Sequence, residues 1–367
     1  MDDIKIKEKD FESFFQVPFN IDLENYISPL KDDLKRMLSD SNPLFKNYGE
    51  FTYFTAMKDN KAVGRVTAHI HNKSNEKFDT RTGYFGHFEC ENDLDTARAL
   101  MNKAESWLKE KGMKTIKGAF NLTAMQQIGV MTEGFENEPY TDQNYSPSFT
   151  QDLLKKLGFD AVFPMRTYEI DVEKVQGIEL IKDKHKAIIS SGDYTFEKIN
   201  FFNTKECLKS VMDILNDGFS ENPMFVPLTF EEFYFQAKDM MWIIDRHIAC
   251  IIKHNGDPVG TIMCIPDLNP FLKKISSKMG LKAPYHFIKN KLKRDRAVII
   301  FYSVKKEMHG KGLNAIMLDY VFKNLFKRGY KTCGFTWIAE INKPSVAQAD
   351  KLLANDMHKL HLFEKEL

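Results

Sequence analysis

Apolar and polar residues alternate in two separate parts of the chain, and a short turn signal interrupts each part. In the first half the run "TYFTAM" precedes Asp59-Asn60, and "AVGRVTAHI" follows. In the second half "IACII" precedes Asn255-Gly256, and "PVGTIMCI" follows. Alternation is the period of a half-buried strand, and Asn-containing two-residue turns favour hairpins. Each half is therefore predicted to contain a β-hairpin.

The period changes to that of a helix after a third apolar strand in each half, "TGYFGHFEC" or "AVIIFYSV". In the second half the apolar residues then recur every three or four positions, at Leu313, Ile316, Met317, Tyr320, Val321 and Leu325. Gly329 follows two cations and is a typical helix C-cap, as is Gly112 in the first half. A further strand, a weaker helix and a last strand follow. The pattern predicts a mixed α+β fold in each half.

The two halves also resemble each other directly, which indicates a duplicated domain. Residues 84–118 align with residues 301–335 without a gap, and the hairpins align upstream. The period is far too long for a solenoid. We predict a first domain at 1–172, a charged and poorly patterned linker at 173–193, and a second domain at 194–367.

The second domain is predicted to carry an insertion at 269–296, since the two alignments differ by about twenty residues. It contains seven lysines and two arginines against one aspartate, and its apolar residues fall roughly on helical faces. Three interpretations remain open: two surface helices with solvated lysines, a lid over an acceptor, or a contact for an anionic partner.

The second helix is preceded by His309-Gly310-Lys311-Gly312, directly after a strand. Unpaired N–H groups and the peptide dipoles favour an anion at a helix start, and glycines let it approach closely. Lys311 can add a point charge. The turn is thus a candidate phosphate site, required for binding and not for folding. The alternative is a tight connection with a solvated lysine.

The equivalent residues in the first half, 92–95, read "NDLD" and contain no glycine. Asp93 and Asp95 can cap their own helix. A diphosphate beside them is repelled, since one pair of unit charges at 4 Å costs about 4 kcal/mol at a dielectric of 20. The first half is predicted to keep the same α+β fold and to bind no diphosphate-containing cofactor at this turn. The alternative is that it binds such a cofactor by another route.

The strand, the glycine turn, the helix and "WIAEIN" on the next strand resemble the GCN5-related N-acetyltransferases. In that family a Q/R-x-x-G-x-G/A turn wraps the pyrophosphate of acetyl-CoA; here His309 replaces Gln or Arg, and Asn314 replaces Gly or Ala. "RTGYFGHFEC" and "FNLTAMQQIGVMTEGF" are among the stretches that extend the likeness to tandem bacterial members. The resemblance implies two tandem domains, each a twisted mixed sheet flanked by helices, and acetyl-CoA or another acyl-CoA as cofactor. It implies these cofactor contacts: Ser303, Val304, His309, Gly310, Lys311, Gly312, Leu313, Asn314 and Asn342.

Acyl transfer to an amine also needs a base, an acid and an acceptor site. The family's acid is commonly a tyrosine in the helix after Asn342, where this chain has "KPSVAQADKLL". With that tyrosine missing, the catalytic candidates are Glu340, Tyr302 and Asp267. In the first half, Asn121 and Glu133 are candidates for acceptor contacts; an ordinary surface loop is the alternative there.

Composition limits the other classes of function. Net charge is +1, which gives no argument for nucleic acid, and five scattered cysteines indicate reduced thiols in a cytoplasm-like compartment. No signal peptide or membrane span is expected. His69 and His71 have bidentate spacing but no third ligand nearby, so no metal is expected. We predict an acyl-CoA-dependent N-acyltransferase acting on a small-molecule or peptide amine. The alternatives are a non-catalytic acyl-CoA-binding protein and an aminoacyl or peptidyl transferase.

Overall fold

The computed structural model describes residues 4–21, 23, 25–199, 203–293 and 295–367. It divides into two compact units that are not contiguous in sequence. The first comprises Met1–Arg166, Leu272–Ala283 and Met357–Leu367, and the second comprises Thr167–Phe271 and Pro284–Asp356. The units differ from the expected boundaries because two late segments return to the first unit. Within the predicted insertion, Arg294 lies outside the described residues.

The first half of the chain contains seven strands and six helices among its described residues. They are β1 (Lys5–Glu8), α1 (Phe11–Asn20), α2 (Lys31–Met37), α3 (Pro43–Tyr48), β2 (Gly49–Lys58), β3 (Lys61–His71), α4 (Asn72–Phe78), β4 (Thr82–Cys90), α5 (Leu94–Glu110), β5 (Thr115–Gly118), β6 (Val130–Glu133), α6 (Ser148–Lys156) and β7 (Asp160–Asp171).

The second half contains six strands and eight α-helices among its described residues. They are α7 (Val172–Val175), α8 (Asp183–Ser190), β8 (Tyr194–Lys198), α9 (Thr204–Gly218), α10 (Phe230–Ala237), β9 (Cys250–His254), β10 (Asp257–Pro266), α11 (Asn269–Lys274), α12 (Ala283–Lys293), β11 (Arg296–Val304), α13 (Leu313–Lys327), β12 (Thr332–Ala339), α14 (Lys343–Lys351) and β13 (Asn355–Glu366). Short 3-10 helices occupy Lys238–Trp242 and Lys306–Met308.

Both predicted hairpins are confirmed. Lys58 pairs with Lys61, and His254 pairs with Asp257, so each loop has two residues. Asp59 and Asn60 both have positive φ, as do Asn255 and Gly256. That conformation matches the right-handed twist of the flanking strands.

The first unit's sheet has the order β1-β2-β3-β4-β5-β13, with β4 and β5 parallel and the other pairs antiparallel. The last strand of the chain therefore belongs to this sheet: Phe363 pairs with Gly118, and Leu360 pairs with Met131 of β6. Phe363 is fully buried in a core that it shares with Leu100 of α5. The sequence predicts a last strand but does not predict its partner.

The second unit's sheet has the order β12-β11-β10-β9-β8, again with one parallel pair, β11 and β12. Helix α13 lies against it, and the periodic residues that predict this helix are buried, apart from a partly exposed Tyr320. The Tyr320 ring stacks on Phe196 with 4.6 Å between centroids. The helix ends at Lys327, and Gly329 follows with a φ of 82°.

The region expected to be a linker, 173–193, is folded for the most part. It contains the last three residues of α7 and all of α8, and both Val175 and Ile181 are buried in the second unit's core. The two helices predicted for the insertion are present as α11 and α12. Between them, the hydroxyl of Ser277 donates to the carbonyl of Ser28 at 2.6 Å within the first unit.

Candidate functional site

The candidate site lies where two parallel strands of the second unit separate. β11 pairs with β12 from Arg296 to Ile299, and the ladder between them stops there. On its other side β11 continues to pair with β10, with a bulge opposite Met263/Cys264. A bulge bends the strand that carries it. Residues 300–304 of β11 thus lead away from β12, and we call the gap between the two strands the notch. At its start, Thr336 Oγ1 donates to the Ile300 carbonyl at 3.2 Å.

Ser303 and Val304 form the end of β11 and are both buried. Their pairing partners on β10 are Thr261 and Gly260. The Val304 carbonyl accepts a hydrogen bond from His309 Nε2 at 3.1 Å, so the strand end is tied to the turn that follows. Gly218, the last residue of α9, lies against this end, since a Cβ there would be 2.1 Å from Ser303 Oγ.

The turn after β11 has the backbone that the two glycines predict. Gly310 and Gly312 have φ of 75° and 82°, and Gly312 is the N-cap of α13 with no side chain capping it. The first N–H groups of a helix have no partner within the helix, so an uncapped start can accept an anion. Leu313 is buried beneath the turn, whereas Lys311 is exposed on it. Asn314 Oδ1 is buried and has no hydrogen-bond partner among the described residues.

A histidine from α8, which the sequence did not single out, lies on this turn. The His185 side chain is 93% buried, and a Cβ built on Gly312 would be 2.4 Å from His185 Nε2. The Lys182 amide donates to His185 Nδ1 at 2.9 Å. Because Nδ1 accepts, the neutral ring carries its proton on Nε2, the atom beside Gly312. The turn is thus flanked by a fixed N–H donor.

Three lysines surround the imidazole of His185. Burial lowers the pKa of His185, and the charges of Lys184, Lys182 and Lys351 lower it further. The ring is consequently neutral at neutral pH in the ligand-free protein. The same positive field favours an anion beside the turn.

The catalytic candidates differ in their surroundings. Burial raises the pKa of Tyr302, and the nearby Ser345 hydroxyl offsets part of that rise. The Tyr302 Oη makes no hydrogen bond of good geometry among the described residues. Tyr302 lies on the part of β11 that has left β12, and Glu340 directly follows β12. Asn342 is the N-cap of α14 and accepts from the Ser345 amide at 3.3 Å. Tyr302, Glu340 and Asn342 are thus close to the ends of the two strands that form the notch.

Asp267 is held in a structural arrangement. It is 3% exposed, its Oδ2 lies 3.1 Å from Arg296 Nε, and its Oδ1 accepts from the Asn269 amide. The Asn290 side chain donates to its backbone carbonyl. These contacts tie α11 and α12 to the sheet, so the carboxylate is engaged as an anchor.

The turn of the first unit has the opposite chemistry. Asp93 is the N-cap of α5, where its carboxylate accepts from the Thr96 amide at 2.9 Å, as its position predicts. Lys58 Nζ lies 2.8 Å from Asp93 and 2.5 Å from Glu91. The hydrogen bonds from Lys58 and Thr96 hold the pKa of Asp93 well below its ordinary value. Asp95 pairs with exposed Arg98 instead of capping the helix.

The equivalent notch in the first unit is filled by its own chain. β4 and β5 also stop pairing, at Phe85 and Gly118, but a Cβ on Gly86 would be 1.8 Å from the Phe120 carbonyl. Asn121 Oδ1 accepts from the His87 amide at 2.8 Å, and its Nδ2 donates to Gln127. Asn121 is therefore committed to closing this notch.

Glu133, the other acceptor candidate, is exposed at the end of β6. Its Oε1 lies 3.2 Å from Lys359 Nζ of β13. The two acceptor candidates of the first unit are thus an internal hydrogen-bonding group and a surface ion pair. For metal, the described residues contain no group of three or more His, Cys, Asp or Glu side chains placed to hold an ion.

Sequence reasoning missed His185 and Gly218. The stretch around His185 is one short helix with a single buried residue, which is too little for a periodic signal. Gly218 ends a strongly periodic helix and resembles an ordinary C-cap. Only the neighbours of these residues in space reveal their contact with the glycine turn and the strand end.

Comparison with known proteins concerns the fold and the family. Residues 208–353, which include β11, the glycine turn, α13 and β12, match the acetyltransferase (GNAT) family. A tandem GNAT protein from the clavulanic acid biosynthesis pathway covers 99% of this chain and 98% of its own, with a TM-score of 0.60 and 11% identity. A GCN5-related N-acetyltransferase from Sphaerobacter thermophilus covers 86% of this chain and 80% of its own, with a TM-score of 0.51.

Two curated relatives align over nearly the whole chain. Bacterial ceramide synthase from Caulobacter vibrioides (strain NA1000 / CB15N) is 23% identical over 98% of this chain and 95% of the relative. Protein YghO from Escherichia coli (strain K12) is 23% identical over 99% of this chain and 94% of the relative. The chain has the tandem GNAT fold, and residues 208–353 match the GNAT acetyltransferase family, which confirms the resemblance. At the level of this family the reaction is acyl transfer from an acyl-CoA.

None of the described helices combines the length and the apolarity needed to cross a membrane.

Proposed function

We propose that the second unit binds an acyl-CoA at the notch between β11 and β12 and transfers the acyl group to an amine. The observation that carries the proposal is the combination of this notch with an uncapped glycine N-cap at the start of α13. An extended pantetheine arm can follow the strand end at Ser303 and Val304 as an added strand would. The pyrophosphate then reaches the turn 309–312 and the N–H groups of Leu313 and Asn314.

His185 adds a donor to this proposed phosphate site. Its Nε2–H is held beside Gly312 by the hydrogen bond at Nδ1, so no side-chain freedom is lost on binding. Lys311, the residue before Gly312, supplies a positive charge to the turn; its Nζ lies 3.1 Å from Met308 Sδ. Asn342 Oδ1 caps α14, so its side-chain Nδ2 is the group proposed to contact the cofactor.

The chemistry assigns different roles to the two remaining catalytic candidates. The amine nitrogen attacks the thioester carbonyl, the C–S bond breaks, and the thiolate of CoA leaves and takes up a proton. A phenol with a raised pKa stays protonated at neutral pH, so Tyr302 suits the acid that protonates the sulfur. Glu340 suits the base that removes the amine's proton through water. We assign Asp267 no role in the proposed reaction, because its buried carboxylate is paired with Arg296 of β11 and accepts from the Asn269 amide.

The acceptor proposed first is the amine of a long-chain amino alcohol. A ceramide is a fatty amide of such an alcohol. One relative, which aligns with this chain over 95% of the relative's length, is named a bacterial ceramide synthase. The donor is then a long-chain acyl-CoA, and acetyl-CoA is the second candidate. Small-molecule and peptide amines remain the other acceptors to compare.

The test pairs each donor with each acceptor and measures both products. Acetyl-, hexanoyl- and palmitoyl-CoA are incubated with sphinganine, simple alkylamines and peptides, and thiol release is measured beside amide formation by mass spectrometry. Palmitoyl-CoA with sphinganine is expected to give equal amounts of thiol and amide, and Tyr302→Phe is expected to lower kcat about tenfold or more. CoA binding without amide from any amine would identify a non-catalytic binding protein. A parallel reaction contains charged transfer RNA in place of acyl-CoA, and activity in that reaction alone would identify an aminoacyl transferase.

Stoichiometry tests which unit binds the cofactor. One CoA per chain is expected in equilibrium dialysis, because among the described residues the turn before α13 has no side-chain cap, whereas Asp93 caps α5 and the Phe120 carbonyl lies against Gly86 in the first unit. Two equivalent sites, or density for CoA at residues 92–95, would contradict the assignment.

A further inference from the structure

Helix α12 presents apolar side chains to solvent. Tyr285, Ile288 and Leu292 are 64%, 58% and 72% exposed. Their spacing of three and four residues places all three on one stripe of the helix. Single exposed apolar residues need no explanation, but three that are aligned on one short helix form a patch that a partner can cover.

The opposite side of α12 holds the helix to the second unit. The Phe287 ring packs against Phe271 with 5.5 Å between centroids, and the Asn290 side chain donates to the Asp267 carbonyl at 3.0 Å. Asp267 is in turn paired with Arg296 of β11. The exposed stripe is therefore fixed in orientation by the buried side and is not a consequence of a detached helix.

Lysines border the exposed stripe on both sides. Lys289 and Lys291 are exposed, and Lys293 is exposed beside Asp295, 2.6 Å from its carboxylate. On a helical projection Lys289 and Lys293 lie on one side of the stripe and Lys291 on the other. Apolar residues bordered by lysines are typical of a helix that lies in a membrane interface, where tyrosine is also enriched.

We infer that α12 docks on the surface of an anionic lipid bilayer, with Tyr285, Ile288 and Leu292 entering the interface and the lysines meeting the headgroups. The inference rests on this surface alone and does not depend on the proposed reaction. A helix of eleven residues is about 16 Å long, too short to span a bilayer. It is long enough to lie in the interface, as short amphipathic helices do.

Other occupants fit this surface less well. A nucleic acid would pair with the lysines but would leave the apolar stripe without a partner. A second copy of the chain would bring like charges together at the stripe, and three side chains supply far less than the ~1,000 Å² of a stable protein interface. A bilayer needs no shape complementarity and satisfies both the charges and the apolar groups.

The experiment is flotation of the full chain with vesicles of phosphatidylcholine alone or with 30% phosphatidylglycerol. We expect the protein to float only with the anionic vesicles, and less as salt rises. Lys289→Gln with Lys291→Gln is expected to lower the partition coefficient about 25-fold, since each lysine near the surface contributes about fivefold, or about 1 kcal/mol. Ile288→Ser with Leu292→Ser is expected to abolish flotation.

Two matched variants test whether flotation depends on α12 or only on the net charge and the exposed apolar side chains of the chain as a whole. Lys103→Gln with Lys109→Gln changes the same charge on exposed positions of α5, and Phe326→Ser with Leu353→Ser removes two other exposed apolar side chains. Both are expected to float as the unaltered chain does. Equal binding to neutral vesicles, an equal loss in the matched variants, or self-association that Ile288→Ser with Leu292→Ser abolishes without any flotation would overturn the inference.

Discussion

The imidazole of His185 lies so close to Gly312 that any residue with a Cβ at position 312 would place it 2.4 Å from Nε2. This contact joins α8 to the N-cap of α13. Gly312 is therefore required for two reasons, its positive φ and the close approach of His185. A substitution at Gly312 is thus expected to affect folding as well as binding, whereas the sequence predicted an effect on binding alone.

The first prediction compares the two glycines of the turn. Gly310 has a φ of 75°, but a Cβ there meets nothing within 4 Å. Gly310→Ala should cost only the conformational strain, about 1 kcal/mol. Gly312→Ala adds the clash with His185 and should cost at least about 1 kcal/mol more, with CoA affinity reduced tenfold or more. Urea denaturation and calorimetric titration measure the two effects.

A double variant isolates the clash. His185→Ala removes the ring, so Gly312→Ala in that background should cost about as much as Gly310→Ala. Equal costs of the two glycine variants in the unaltered chain would contradict the packing seen here.

The second prediction concerns the pH dependence of CoA binding. The pKa of His185 is lowered in the free protein, and a phosphate beside Nε2 would favour the imidazolium and raise it. Binding should then take up a proton, so affinity should rise as pH falls from 8 to 6. His185→Gln keeps a neutral donor and should bind less than tenfold more weakly, with this pH dependence removed. Titrations of both proteins at each pH provide the measurement, and identical pH profiles would show that His185 takes up no proton when CoA binds.

The third prediction uses the cap of the first unit. Asp93→Ala removes the acceptor for the Thr96 amide and a partner of Lys58, and should lower the free energy of unfolding by about 1–2 kcal/mol. Asp95→Asn, at the exposed neighbour, should change it by less than about 0.5 kcal/mol. CoA affinity should stay unchanged in both. A loss of CoA binding in Asp93→Ala would indicate a cofactor site in the first unit.

The fourth prediction concerns acid stability. His69 is fully buried and donates from Nε2 to the Leu122 carbonyl at 2.9 Å, and burial lowers its pKa to about 3. In the unfolded chain this histidine takes up a proton near pH 6.5. The contribution of neutral, buried His69 to stability is therefore fully present above that pH and is lost as pH falls below it. Between pH 7 and pH 5 the loss from His69 should be about 2 kcal/mol.

His69→Gln keeps an amide donor and does not titrate. Its free energy of unfolding should therefore fall less between pH 7 and pH 5 than that of the unaltered chain, by about the same 2 kcal/mol. Urea denaturation at the two pH values gives the comparison. Parallel losses in the two proteins would mean that another group, such as buried His87, dominates the acid response.

The sequence by itself determined the features whose causes are local. Asp59-Asn60 and Asn255-Gly256 close two-residue hairpins because those residues tolerate positive φ. The spacing from Leu313 to Leu325 defines the buried side of α13, and Asp93 is a helix cap by its residue type and position. Each of these signals acts over a few residues, so the chain can be interpreted without knowledge of its distant contacts.

Only the tertiary structure decided which distant residues meet. Strand β13 joins the first unit's sheet, although it follows the second unit in sequence, because its pairing with β5 and β6 depends on long-range contacts that leave no periodic signal. His185 reaches Gly312 across more than a hundred residues, and Asn121, which the sequence offered as a candidate acceptor contact, accepts a hydrogen bond from the His87 amide. Side-chain type determines what each group can do, but burial and neighbours determine whether it caps, blocks or binds.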